Sequence, residues 1–152
     1  MAILHRATIT PTKLELAAAW LDRQGAGGAG DLEMVGSYRF DDPEGEVGIE
    51  ALLVRRASEV FHLPVTYRGA PLDGAGAHLI TTMEHSVLGR RWVYEAEGDA
   101  VALACYVAAL AGRQEQASLE LWDGDVAGRQ PAGRRLVAAW DAGSGVVAVS
   151  AA

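Results

Sequence analysis

The side chains able to do chemistry are few and scattered. Four histidines, His5, His62, His78 and His85, show none of the paired spacings that bring two imidazoles onto one metal, and a single cysteine, Cys105, excludes a thiolate cluster. Glu84 and His85 set an acid beside a base, but neighbours on a strand point to opposite faces. His62 and His78 could meet across strands on one face. Glu46 and Glu50 would share a strand face about 13 Å apart between backbones, too far for a glycosidase carboxylate pair. Asp123-Gly124-Asp125 has the look of a metal dyad, yet it falls where a hairpin needs a turn. There is no Gly-x-Ser-x-Gly elbow for a nucleophilic serine. Cys105 lies among apolar residues, which raise a thiol pKa and make it inert.

Phosphate chemistry fares no better. Gln24 to Asp31 holds four glycines in six positions, but a phosphate loop follows a strand and opens a helix, and these glycines follow a helix with no Lys-Ser/Thr after them. They read as a connector. No His-x-Asp catalytic loop and no Asp-Phe-Gly metal anchor occurs. No residue is therefore assigned a catalytic, cofactor-binding or metal role, and no cofactor is expected. The residues that stand out instead suit contact: Arg90 and Arg91 beside Trp92, with Tyr94 and Tyr106 completing an aromatic set. Arginine and tryptophan are enriched at interface hot spots. The competing reading packs Trp92 in the core and leaves both arginines solvated.

The elements that must position these residues read as α+β. Residues 2–9 form a strand. Thr10-Pro11 supplies a hydroxyl cap and a proline at the first helical position, and Leu14, Ala17, Ala18 and Leu21 make one apolar stripe. Met34–Phe40 and Val47–Leu53 alternate around the Asp41–Gly45 turn and predict a hairpin. Phe61, Leu63, Val65 and Tyr67 share a face of a third strand, which Pro64 demotes toward an edge or a bulge. His78–His85 and Arg91–Glu95 are a fourth and fifth strand. Asp99 caps a helix over 100–111 that carries no charge, so it must be covered on every side, by the sheet and the C-terminal segment or by another chain. Short strands follow near 118–122, 135–140 and 146–150. The sum is a curved antiparallel sheet packed on a helix, with a second apolar helix and C-terminal hairpin strands.

Composition narrows the class. The chain has 152 residues, 50% hydrophobic and 22% charged, with a net charge of −7 and a pI near 5.0. That is one globular domain able to fold without metal or disulfide. The acidic balance, even between the halves, disfavours a nucleic-acid partner. The longest uncharged apolar stretch, 100–112, is too short for a bilayer, which needs about 20 residues. No signal peptide is read at the N-terminus, so a cytoplasmic location is expected.

Four blocks occur in order at sensible spacing: MAILHRATITPTKLEL at 1–16, VGSYRFDDPEGEVGIE at 35–50, VTYRGAPL at 65–72 and TMEHSVLGRRWVY at 82–94. Together they resemble the N-terminal cap domain of actinobacterial maltokinases. The resemblance covers residues 1–112 and leaves 113–152 as a C-terminal strand extension packed on the same core. It implies a cystatin- or monellin-like sheet around a helix, which in the family packs on the small lobe of a kinase that phosphorylates maltose from ATP. The kinase lobes hold the family's catalytic residues and are absent from this sequence, so none carries over. The expected function is a non-catalytic interaction or regulatory module tied to maltose and α-glucan (trehalose–glycogen) metabolism. Its partner would be a second copy or an enzyme such as a sugar kinase, with no membrane involved. The alternative is a small enzyme or ligand-binding protein with a pocket between sheet and helix, drawing on Glu46, Glu50, His62, His78 or His85.

Overall fold

The computed structural model describes residues 8–117 in full, with the backbones of the strands at 2–4, 119–123, 126–128, 136–141 and 146–151. In chain order these are β1 (Ala2–Leu4), β2 (Ile9–Thr10), α1 (Lys13–Gln24), β3 (Leu32–Phe40), β4 (Gly48–Arg56), β5 (Glu59–Arg68), β6 (Leu79–His85), β7 (Gly89–Glu95), α2 (Ala100–Leu110), β8 (Leu119–Asp123), β9 (Val126–Gly128), β10 (Leu136–Asp141) and β11 (Val146–Ala151). Strands β2 to β7 form one antiparallel sheet in the order β2-β6-β7-β5-β4-β3, curled into a half-barrel. The architecture is α+β.

The start of α1 differs from the sequence expectation. Thr10 pairs with Glu84 as a strand residue, so the next hydroxyl caps the helix: Thr12 Oγ1 accepts from the Glu15 N–H at 3.2 Å. The buried stripe is Leu16, Ala17 and Leu21, with Trp20 beside it, while Leu14 is exposed. Leu16 and Trp20 together offer more apolar area than Leu14 with Ala18, and burial follows area. The Gln24–Asp31 segment is more built than a connector. Arg56, itself buried, donates to Asp22 at 2.8 Å and to the Gly28 carbonyl at 3.3 Å. A Cβ on Gly27 would sit 3.0 Å from the Phe61 ring, at a φ of +77° that side chains rarely adopt.

The predicted hairpin forms, with Phe40 opposite Ile49 and Tyr38 opposite Ala51. Its second strand, however, is covered on both faces. Leu52 and Val54 join Leu16, Leu21, Leu63, Val65 and Val93 under α1. Ile49, of opposite parity, joins Val47, Ala96, Ala102 and Cys105 under α2. The two helices therefore lie on opposite sides of the sheet. Pro64 is tolerated in β5 because β7 pairs only from Val65 onward, so along 59–64 the strand is paired on its β4 side alone.

One consequence of the double cover is a buried carboxylate. Glu50 lies on the α1 face of β4, 2% exposed. Lys13 Nζ approaches Oε1 at 2.9 Å, Tyr67 OH donates to Oε2 at 2.9 Å, and Arg39 lies 3.6 Å from Oε2. Glu46, expected on the same strand face, falls before β4 in the hairpin loop, where its N–H donates to Asp42.

Near the C-terminus Gln114 donates to the Asp41 carbonyl at 2.9 Å and the Ala117 N–H to the Arg39 carbonyl at 2.8 Å, so the chain runs back along β3. Beyond it, β8 pairs in parallel with β1 and antiparallel with β9, and β10 pairs antiparallel with β11. The Asp123-Gly124-Asp125 turn and the packing of the rest of the 113–152 extension on the core lie outside the described residues.

Removing Glu50 leaves Arg39 and Tyr67 facing a partly buried void of charge. Glu50→Ala is expected to cost about 3 kcal/mol or more, and Lys13→Ala, whose side chain is one-third exposed, less than about 1 kcal/mol. Urea unfolding measures both. Equal losses would show that the carboxylate is not the centre of the network.

Candidate functional site

Helix α2 carries no charge between Ala100 and Ala111, and its two sides have different fates. Ala102 and Cys105 turn inward onto Val47, Ile49 and Ala96, with Phe40, Val101 and Tyr106 around them. Leu103, Val107 and Leu110, at i, i+4 and i+7, are 46%, 58% and 68% exposed. Full cover by this chain, one of the two expectations for an uncharged helix, is not what the described residues show. Small inner residues let the helix lie close on the sheet, and the outer stripe of larger aliphatic side chains is left facing away.

What holds α2 in place is Asp99, fully buried at the helix cap. Its carboxylate accepts from the Val101 N–H at 3.0 Å and from Arg68 Nε and Nη2 at 2.6 and 2.9 Å. The cap was legible in the sequence. Its partner, 31 residues earlier on β5, was not. Burial alone would push the Asp99 carboxyl up, but Arg68 and the Val101 N–H outweigh it and hold the pKa below its ordinary value. Beneath the helix runs an aromatic floor. Phe40 meets Tyr106 and Tyr38 edge-on, with ring centroids 5.2 and 5.8 Å apart. The Tyr38 hydroxyl and His62 Nε2 lie 2.7 Å apart. Burial lowers the His62 pKa and raises those of Tyr38 and Tyr106.

The five contact candidates are distributed over several surroundings. Arg90 is exposed and pairs with Glu84 at 2.6 Å. Arg91 donates to the Tyr67 carbonyl at 3.2 Å and points to the other side of β7 from Arg90, Trp92 and Tyr94. Trp92 is half-buried opposite Arg68. Tyr94 is buried, its hydroxyl accepting from the Leu72 N–H at 2.8 Å. Tyr106 belongs to the floor under α2, with Phe40 and Tyr38, and those two rings were not singled out in the sequence.

Several of the acids and bases find hydrogen-bond partners within the chain. His85 Nδ1 accepts from the Val87 and Leu88 N–H groups and so fastens the β6–β7 turn. His62 and His78 do not meet. His62 is beside Tyr38, whereas His78 ends a 3-10 turn before β6, near Glu95 and Glu97. Cys105 is buried 3.8 Å from the Asp41 carbonyl, and burial pushes its thiol pKa up. The arrangement offers a surface rather than a proton relay. No helix among the described residues is long and apolar enough to cross a membrane.

These shifts separate on the pH axis. His62 titrates lower when folded than its ordinary 6.5. The unfolded chain then binds the extra proton, so stability is full above about pH 6.5 and declines below it. Asp99 and Asp42, the latter held by three backbone N–H groups at 2.9 to 3.0 Å, titrate below their ordinary 3.8. Their contribution is present above 3.8 and disappears as pH falls through the lowered values. Thermal unfolding from pH 3 to pH 8 is expected to show two steps of loss, with His62→Gln flattening only the upper one and Asp99→Asn reducing the lower.

The family model for the maltokinase N-terminal cap domain matches residues 17–99. The match takes in most of α1, strands β3 to β7 and the Asp99 cap, and it ends where α2 begins. No curated protein and no solved structure matches the chain. With more than half of its length matched, and the matched stretch forming the half-barrel and its capping carboxylate, the chain belongs to the maltokinase N-terminal cap domain family.

Proposed function

We propose that this chain is a non-catalytic cap, which docks through the outer face of α2 on the catalytic lobes of a maltose-phosphorylating kinase in the cytoplasm. Family membership ties it to maltokinase and maltose metabolism, and α-glucan synthesis is the setting this reading gives it. The cystatin-like description of the half-barrel belongs to the same reading and rests on the family. The carrying observation is the stripe of Leu103, Val107 and Leu110, the exposed part of an uncharged helix directly after the matched cap. Aliphatic side chains aligned along one helix face suit a groove in a partner.

An enzymatic or ligand-binding reading draws no support from Glu50 and His62. Glu50 is held by Lys13, Tyr67 and Arg39, and His62 is beside the Tyr38 hydroxyl. Groups already engaged inside the fold would have to lose those partners to serve a substrate.

Mixing the chain with the catalytic lobes of a maltose kinase and sizing the mixture by light scattering tests the proposal. A one-to-one complex is expected. Leu103→Asp and Val107→Asp, both at exposed positions that leave the core intact, should each weaken it about tenfold or more, the loss typical of a hot-spot residue. Absence of a complex with the unaltered chain, or undiminished binding by both variants, would reject it.

A further inference from the structure

Away from α2's outer stripe, a second group of side chains converges where β6 and β7 meet. His78 closes the 3-10 turn Gly76–His78, Glu95 ends β7, and Glu97 lies in the next 3-10 turn, Ala96–Gly98. One ligand atom from each lies within 4.8 Å of the other two. His78 Nδ1 is 3.7 Å from Glu95 Oε1 and 3.7 Å from Glu97 Oε1. Those separations are too long for hydrogen bonds. They suit two donors placed around a shared ion that lies about 2.1 Å from each.

A second, independent observation concerns the imidazole. The side chain is 37% exposed, yet its Nδ1 is shut off from solvent and has no hydrogen-bond partner among the described residues, a costly condition for a polar atom. The ring's place is also fixed. A Cβ at position 98 would fall 2.5 Å from the His78 Cβ and Cγ, so only glycine lets the ring lie against this turn. Glu95 is oriented from behind, because its other oxygen, Oε2, accepts from Trp20 Nε1 at 3.1 Å. An outer partner that aims a carboxylate in this way is the usual support of a metal ligand.

We propose that His78, Glu95 and Glu97 bind a first-row divalent cation of the zinc class, with water completing the coordination. One imidazole nitrogen and two carboxylate oxygens suit such an ion better than magnesium or calcium, which take oxygen alone. Glu97 is largely exposed, so the ion has a way in and room for its water. The site stands two residues ahead of Asp99, so a bound ion would brace the turn that launches α2.

Titration of the tag-free, chelator-treated chain with Zn²⁺, followed by calorimetry and thermal unfolding, tests this. One-to-one binding and a raised Tm reversed by EDTA are expected. Glu97→Gln and His78→Gln should each weaken binding at least tenfold, while His85→Gln should leave it unchanged. Glu97 is exposed, so its variant keeps the fold. No Zn²⁺ binding by the unaltered chain would overturn the proposal. Binding that survives both variants would equally overturn it, by placing the ion elsewhere.

Discussion

Strand β4 is buried on both faces, and that constraint determines where both helices must lie. A strand with Ile49 on one side and Leu52 and Val54 on the other cannot be half-solvated, so a layer is required on each side of the sheet. Helix α1 supplies one and α2 the other. The sheet curls so that β6, far from β4 in strand order, still reaches Leu16 and Leu21 through Ile80 and Met83. On the second side the layer is thinner. Ala102 and Cys105 are small, and the aromatic floor of Phe40, Tyr38 and Tyr106 fills what they leave.

Polar groups trapped by this arrangement are matched individually. Glu50 under α1 has a lysine, a tyrosine and an arginine; Asp99 under α2 has a bidentate arginine and a backbone N–H. Each joins segments far apart in the chain, which gives the buried charge a part in specifying the fold as well as a cost. Asp99 is the more consequential of the two, since it fixes the helix that bears the exposed stripe. The surface proposed for docking thus depends on an ion pair on the opposite, inner side of the same helix.

Much of this was legible in the sequence, and the parts that were not share a cause. The α+β class, the β3–β4 hairpin, the shared face of Phe61, Leu63, Val65 and Tyr67 and the Asp99 cap all follow from local periodicity and turn chemistry. Of the blocks behind the family resemblance, those at 35–50, 65–72 and 82–94 lie in the strands and turns of the half-barrel. What escaped were non-local choices. Alternation in Val47–Leu53 suggested one buried face, because a carboxylate at 50 ordinarily marks the wet side. Only the arrival of Lys13, Tyr67 and Arg39 reverses that. Thr10 and Thr12 are equivalent caps to a local reading, and the pairing of Thr10 with Glu84 decides between them. The grouping of His78 with Glu95 and Glu97 depends on two 3-10 turns meeting, and no spacing along the chain announces it.

The glycine-rich passage between α1 and β3 carries a dynamic consequence. Glycines surrender more backbone freedom on folding than any other residue, and ordering each position costs on the order of 1–2 kcal/mol. Beyond the helix end, where the Gly25 and Ala26 N–H groups donate to Asp22 and Leu21, that loss is opposed by the Arg56 guanidinium and the Phe61 ring. Segments with so few anchors open long before the body of a protein does. Opening of this passage is therefore expected to be a local event, in which Arg56 lets go of Asp22 and Gly28 while the half-barrel stays shut.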